Sequence, residues 1–171
     1  MSLDQVILEL NAENEDEVCT DSDDPNLDGI LDVLDIVYVV AAILGNTDWT
    51  SDCSVVNADV NSDEIVDILD VVQIVQMILN PRISLGSDAT EVILDKNIDG
   101  ITYFSDGYIG AIQLEISHNE DFEIEMLGSG LVADLNTKDN LTKVIIVEPR
   151  GELLFSSVGE FVIESVVAAS A

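Results

Sequence analysis

The chain reads as multi-domain α + β, with a pair of loop–helix repeats joined to an antiparallel β-sandwich. Three observations predict it. A twelve-residue pattern beginning at Asp24 recurs at Asp59, a constant offset of 35 positions. The apolar period changes from helical spacing before residue 80 to strict alternation after residue 89. Between them, residues 81–88 (Pro-Arg-Ile-Ser-Leu-Gly-Ser-Asp) are rich in turn and breaker residues. The chain therefore divides into an N-terminal strand with an acidic lead-in (1–18), the repeats (19–80), a linker (81–88) and the sandwich (89–171).

Composition narrows the partners. Of 171 residues, 47% are hydrophobic, so a net charge of −30 does not imply disorder, which needs low hydrophobicity as well. Every basic residue (Arg82, Lys96, Lys138, Lys143, Arg150) follows Asn80, while residues 1–81 carry only carboxylates. Such a segment repels nucleic acid and anionic membrane surfaces, and repels itself until something neutralises it. No apolar run approaches the roughly 18 residues of a membrane span, so membrane insertion is not expected. The start, Met1-Ser2-Leu3-Asp4, is not a basic and apolar leader, so a signal peptide is expected to have been removed.

Residues 3–10 (Leu-Asp-Gln-Val-Ile-Leu-Glu-Leu) alternate as a strand, with Val6, Leu8 and Leu10 on one face. Their sequence neighbours are not strands, so this one must pair elsewhere in the chain or with a neighbouring copy. Cys19 and Cys53 each lie a few residues before a repeat. A disulfide would tie the two loop entrances together in an oxidising compartment; two free thiols are the alternative.

Each repeat opens with oxygen side chains at positions one, three, five, nine and twelve. They are Asp24, Asn26, Asp28, Asp32 and Asp35, then Asp59, Asn61, Asp63, Asp67 and Asp70. Position seven would add a backbone carbonyl, from Ile30 or Ile65. Alternate spacing turns these groups inward as a chain wraps a cation, and calcium suits 6–8 hard oxygen donors at about 2.3–2.6 Å. Two ions are expected. Position eight (Leu31, Val66) is apolar, as where paired loops bridge through a short ladder. Position six is Gly29 in one loop and Glu64 in the other, so the second site is expected to be weaker.

Helices Val33–Leu44 and Ile68–Leu79 follow the loops, while 11–23 and 46–58 are polar and do not read as entering helices. A loop and exiting helix, repeated with no entering helix, resembles a type I dockerin over residues 19–80. That resemblance implies a pair of helices held by structural calcium and docking onto a cohesin. Recognition would centre on Val33 and Leu34 and on Ile68 and Leu69, with Tyr38 beside them. The periodicity places Val33, Ile36, Val37, Val40, Ala41 and Leu44 in one stripe facing the other helix. Leu34, Tyr38, Val39 and Ile43 then need a second cover, either a partner or the C-terminal half of the chain.

Strands are expected at 91–94, 109–116, 122–126, 143–147, 153–155 and 160–167, separated by Gly-, Asn- and Asp-rich turns. The run Gly110-Ala111-Ile112-Gln113-Leu114-Glu115-Ile116-Ser117 before an acidic turn, with the closing strand at 159–169, is similar to a cohesin or related carbohydrate-binding-type sandwich. The domain is short by one or two strands for that family, leaving an edge to be filled.

Catalysis finds little support. His118 reads as a solvated turn histidine, Glu123 and Glu125 share one face of a strand, and no nucleophile triad or phosphate loop occurs. The expected role is a non-catalytic, extracellular or cell-surface, calcium-stabilised module linking a protein partner or copies of itself, head to tail. The alternative is a glycan-binding accessory module for polysaccharide, with Tyr103, Phe104, Tyr108, Phe122, Phe155 and Phe161 as candidate stacking rings.

Overall fold

The computed structural model describes residues 19, 23–79, 87–126 and 130–170. The expected strand at 3–10 lies outside them, as does the linker apart from Ser87 and Asp88. Three helices, α1 (Val33–Leu44), α2 (Asp52–Ala58) and α3 (Ile68–Leu79), precede eight strands. The strands are β1 (Val92–Asn97), β2 (Gly100–Ser105), β3 (Ala111–His118), β4 (Glu123–Glu125), β5 (Val132–Lys138), β6 (Leu141–Val147), β7 (Leu153–Val158) and β8 (Phe161–Ala169). They form two four-stranded antiparallel sheets, ordered β1-β2-β7-β4 and β5-β6-β3-β8. The fold is α + β and sheet-rich.

Both long helices begin and end where the repeat places them. Asp32 caps α1 with its side chain on the Leu34 N–H, and Asp35 returns the bond to the Asp32 N–H, a reciprocal capping box. Gly45, left-handed at φ 76°, stops the helix. The short helix α2 corrects the reading of 46–58 as turns. Ser51 caps it by accepting from the Ser54 N–H, and Cys53, Ser54, Asn57 and Ala58 are buried, so tertiary burial makes helix from a polar sequence.

The helices do not stand apart from the sandwich. They pack on each other and on the outer face of one sheet, α1 over β5 and β6 and α3 over β3, β6 and β8. One core joins Ile36, Val39, Val40, Ile68, Val71, Val72, Ile74 and Val75 to Ala111, Ile145, Val147 and Ala169. A second core fills the space between the sheets with Ile101, Ile112, Leu114, Ile116, Val144, Ile146, Leu154 and Phe155. Strand β6 is thus apolar on both faces from Val144 to Val147 because both faces are covered there, whereas β3 beyond Ala111 alternates, with Gln113, Glu115 and Ser117 on the helix side. The cover that the all-round apolar α1 needs is the C-terminal half of the same chain.

That packing rotates the buried stripe. Val39, assigned to another face, is fully buried, whereas Val33 and Val37, assigned to the helix contact, are exposed. At Gly110 an added Cβ would lie 2.7 Å from a methyl of buried Val72, so glycine permits the close approach of α3 to the sheet. Asn136 donates to the Leu44 carbonyl (2.9 Å) and Asn46 to Asp134 (3.0 Å), satisfying the helix end with groups of β5.

Two strands had no clear signal. In β2 (Gly-Ile-Thr-Tyr-Phe-Ser) the flanking turns stand out more than the strand. In β5 (Val-Ala-Asp-Leu-Asn-Thr-Lys) polar residues and an edge position hide the alternation. His118 is corrected too. It closes β3, stacks on Phe122 at 4.5 Å, and contacts Thr142 Oγ1 and the Asn119 carbonyl through its two nitrogens, so it is structural.

Candidate metal centres

The two loops share most of one hydrogen-bond plan; the second adds bonds from the Asp63 N–H to Asp59 Oδ1 (3.1 Å) and from Asn61 Nδ2 to Asp63 (3.0 Å). At position one, Asp24 Oδ2 accepts from the Gly29 N–H (2.7 Å) and Asp59 Oδ2 from the Glu64 N–H (3.0 Å). At position three, Asn26 and Asn61 accept from Asp28 and Asp63 (2.9 and 2.8 Å). At position five, Asp28 and Asp63 accept from Ile30 and Ile65, both at 2.9 Å. At position nine, Asp32 and Asp67 accept from Leu34 and Leu69, both at 2.7 Å. Such side-chain-to-backbone bonds curl a chain about the space its carboxylates line.

Position twelve closes each loop. Asp35 spans its loop, accepting from Asn26 (3.1 Å) and Asp32 (2.8 Å), and Asp70 does the same with Asn61 (3.2 Å) and Asp67 (3.0 Å). Both carboxylates are fully buried. Burial pushes each upward from the usual carboxylate range. The N–H bonds oppose that shift, and neighbouring carboxylates (Asp24 and Asp28; Asp59 and Asp67) add to it.

One atom stands out. Asp24 is 7% exposed, and its Oδ1 is buried with no hydrogen-bond partner among the described residues. An unmatched buried carboxylate oxygen is costly unless a cation meets it. Among the described residues, no three or more His, Cys, Asp or Glu side chains are gathered into a group that could hold a metal ion. An amide and a main-chain carbonyl complete each expected set of six donors.

Backbone conformation refines the second loop. Gly29 has φ 90° and Glu64 φ 71°, so position six takes the left-handed turn in both repeats. Leu27 and Ser62, at position four, also have positive φ (62° and 60°), which nothing in the sequence indicated. The loops form no ladder through Leu31 and Val66, whose side chains pack on the helix core instead. Cys19 and Cys53 are joined by a disulfide with Cα atoms 5.1 Å apart. Asn57 Nδ2 also holds the Asp24 carbonyl (3.0 Å), so α2 braces the first loop.

The expected recognition residues separate. Leu34 (55% exposed), Leu69 (42%) and Val33 (41%) face solvent, while Ile68 (1%), the first residue of α3, is buried in the helix–sheet core and is not surface. Tyr38 is half-buried; its hydroxyl accepts from the Thr50 N–H (2.8 Å) and its ring meets Trp49 edge-on. Ile30 and Ile65 join the exposed set. Of the six candidate stacking rings, Phe104 alone is exposed; Phe155 and Phe161 are core. Among the described residues no helix is long and apolar enough to cross a membrane. No family model matches the chain, and neither a curated protein nor a solved structure matches it.

Proposed function

We propose that each loop holds one calcium ion and that the chain is a non-catalytic extracellular module joining protein partners, copies of itself included. The observation that carries the calcium reading is Asp24 Oδ1 of the first loop, a buried oxygen without a partner among the described residues; the second loop, where Asp59 Oδ1 accepts from the Asp63 N–H (3.1 Å), is read from its repeated donor set. The first ion would be held by Asp24, Asn26, Asp28, Asp32, Asp35 and the Ile30 carbonyl. The second would be held by Asp59, Asn61, Asp63, Asp67, Asp70 and the Ile65 carbonyl. The ion would draw in and neutralise the four carboxylates each loop carries. A hard oxygen set with flexible acidic loops suits calcium better than magnesium, which demands a tight octahedron and keeps its water. Isothermal titration of chelator-stripped protein should return two calcium ions per chain, with magnesium far weaker; no binding would remove the reading.

The joining role is supported by apolar side chains left in solvent around both repeats: Ile30, Val33, Leu34, Ile65 and Leu69. Of these, Val33, Leu34 and Leu69 belong to the set the dockerin resemblance would use, from which Ile68 is removed by its burial. The disulfide fits an oxidising, extracellular setting. Sedimentation in calcium, with and without Leu34→Asp and Leu69→Asp, tests whether that surface carries association. Glycan binding keeps one specific observation in its favour. Phe104 (66% exposed) and Ile93 (51%) are cross-strand partners on the outer face of β1 and β2. A polysaccharide panel with Phe104→Ala tests it.

A further inference from the structure

No ladder joins the two loops among the described residues, yet one short element is fastened to both. Helix α2 lies between them in sequence and meets each at its first ligand. On one side, the buried side chain of Asn57 donates to the Asp24 carbonyl (3.0 Å), a contact between residues 33 positions apart. The same carbonyl accepts from the Leu27 N–H (3.3 Å), so it belongs to the turn that opens the first loop. On the other side, Asp59, the first donor of the second loop, is the C-cap of α2. Its N–H closes the last turn on the Val55 carbonyl (3.1 Å). Asn57 and Asp59 are two positions apart, so the side chain that grips one loop sits in the helical turn that delivers the other.

The order of α2 is borrowed. Seven residues form no stable helix in isolation, so the element depends on what holds it. Ser51 caps its start, the disulfide restrains Cys53 in its first turn, and Ala58 lies in the core shared by the helices and the sheet. Asn57 adds the bond from its last turn to the first loop itself. Both ends of that bond are buried, Asn57 at 5% and Asp24 at 7% exposure. A buried amide whose acceptor moves away is costly, so an ordered Asp24 and an ordered end of α2 go together. Asp24 is also the residue whose Oδ1 is buried without a partner among the described residues, so an ion in the first loop would fix the residue that Asn57 holds.

We infer that α2 couples the two calcium loops, with Asn57 as the positioning residue through which binding in one favours binding in the other. The inference rests on the calcium reading and is independent of any protein partner. Fixing Asp24 gives Asn57 its acceptor, Asn57 steadies the last turn of α2, and that turn sets Asp59. The second loop then has less of itself left to order, which is positive coupling without a change of fold. By linkage, the second loop strengthens the first by the same factor.

The test uses the full chain with its disulfide intact and calcium as the probe. Asp28→Ala leaves the second loop to bind and Asp63→Ala the first; neither side chain is bonded to α2. For independent loops, the product of the two stepwise association constants of the unaltered chain equals the product of the two single-loop constants. Here it should exceed it by about fivefold or more. Placing Asn57→Ala in all three chains should shrink that excess several-fold. Charge relief between the acidic loops survives this substitution, which removes no carboxylate, and accounts for what remains. A second measurement needs no change at Asn57. In the Asp63→Ala chain, calcium should slow hydrogen exchange at the Asp59 N–H by more than at the amides of β3, although the second loop stays empty. Equal products, or an Asp59 N–H that gains no more than β3, overturn the coupling while the calcium reading stands. An excess that Asn57→Ala leaves whole overturns Asn57 as its carrier. An unaltered chain that binds no calcium removes the calcium reading and the coupling with it.

Discussion

The two repeats carry the same ligand pattern and different packing, and the contrast separates what a local code specifies from what its surroundings add. From Asp24 to Asp35 and from Asp59 to Asp70, equivalent side chains meet equivalent N–H groups at nearly equal distances. One residue into the helices the equivalence ends. Ile68 and Val72 are 1% and 2% exposed, whereas their counterparts Val33 and Val37 are 41% and 46% exposed. The sheet covers α3 on a side where α1 faces water. Loop geometry follows from side chains within twelve residues, so repetition in sequence becomes repetition in structure. Helix burial depends on a neighbour more than thirty residues away, so it does not.

The largest way to break the comparison is to remove calcium from both loops. Binding only to the folded state stabilises by about 2.7 kcal/mol per site at a hundredfold excess over the dissociation constant. Chelation should therefore lower the melting temperature and the helical circular dichroism together, leaving more of the sheet signal. An unchanged melt would refute structural calcium. The pH response should change sign with the ion. Asp35 and Asp70 are raised in the folded state, so their stabilising contribution is present below the ordinary carboxylate pKa and lost as pH rises through the raised value. The chelated protein should melt higher on mild acidification. The calcium-loaded protein should melt lower, because protons compete for the ligands.

Next in size is the test of unequal burial. Ile68→Ala should cost about 2–5 kcal/mol, as for other buried large-to-small changes, while Val33→Ala at the equivalent position should stay within ~0.5 kcal/mol. Paired urea melts would measure it. Equal losses would mean that the two helices are buried alike.

Reducing the Cys19–Cys53 bond should follow. It closes a loop of 34 residues' separation, worth about 3–4 kcal/mol in the chain-entropy model and often less in practice. Since Cys19 precedes the first loop and Asn57 of α2 holds Asp24, the loss should fall more heavily on the first calcium site than on the second. A titration under reducing conditions reads this directly. Equal weakening at both sites would show that the bridge acts on the chain as a whole.

The legible parts of the molecule are those with short-range causes. Both loops, both long helices and six of the eight strands have signals in their own residues. So did the cysteine pair, through its placement before each loop. Strand β5 did not, because Asp134, Asn136 and Lys138 suit its exposed edge and its contacts with α1 rather than a buried alternation. Helix α2 did not, because seven residues are too few for a helix in isolation and its support is tertiary. The exposure of Val37 against the burial of Val72 is likewise set by where the sheet lies.

The smallest expected effect sharpens the comparison inside the loops, where the repeats are otherwise alike. Position six is left-handed in both, φ 90° at Gly29 and φ 71° at Glu64. Glycine takes that conformation freely, but a residue with a Cβ holds it at a cost on the order of 1–2 kcal/mol. The cost falls on the ordered loop and is therefore charged against ion binding at the second site. Glu64 is exposed, and nothing in its contacts offsets the strain beyond its N–H bond to Asp59, which glycine would keep. Removing the side chain also removes one negative charge near the ion, which opposes the gain. With the charge exposed and screened, the backbone effect should prevail. Glu64→Gly should tighten the second site several-fold and bring it toward the first, while Glu64→Gln, which keeps the Cβ and loses the charge, should weaken it slightly. Isothermal titration of the three proteins separates strain from charge. If Gly and Gln shift the second site equally, the left-handed turn is not what makes the two sites differ.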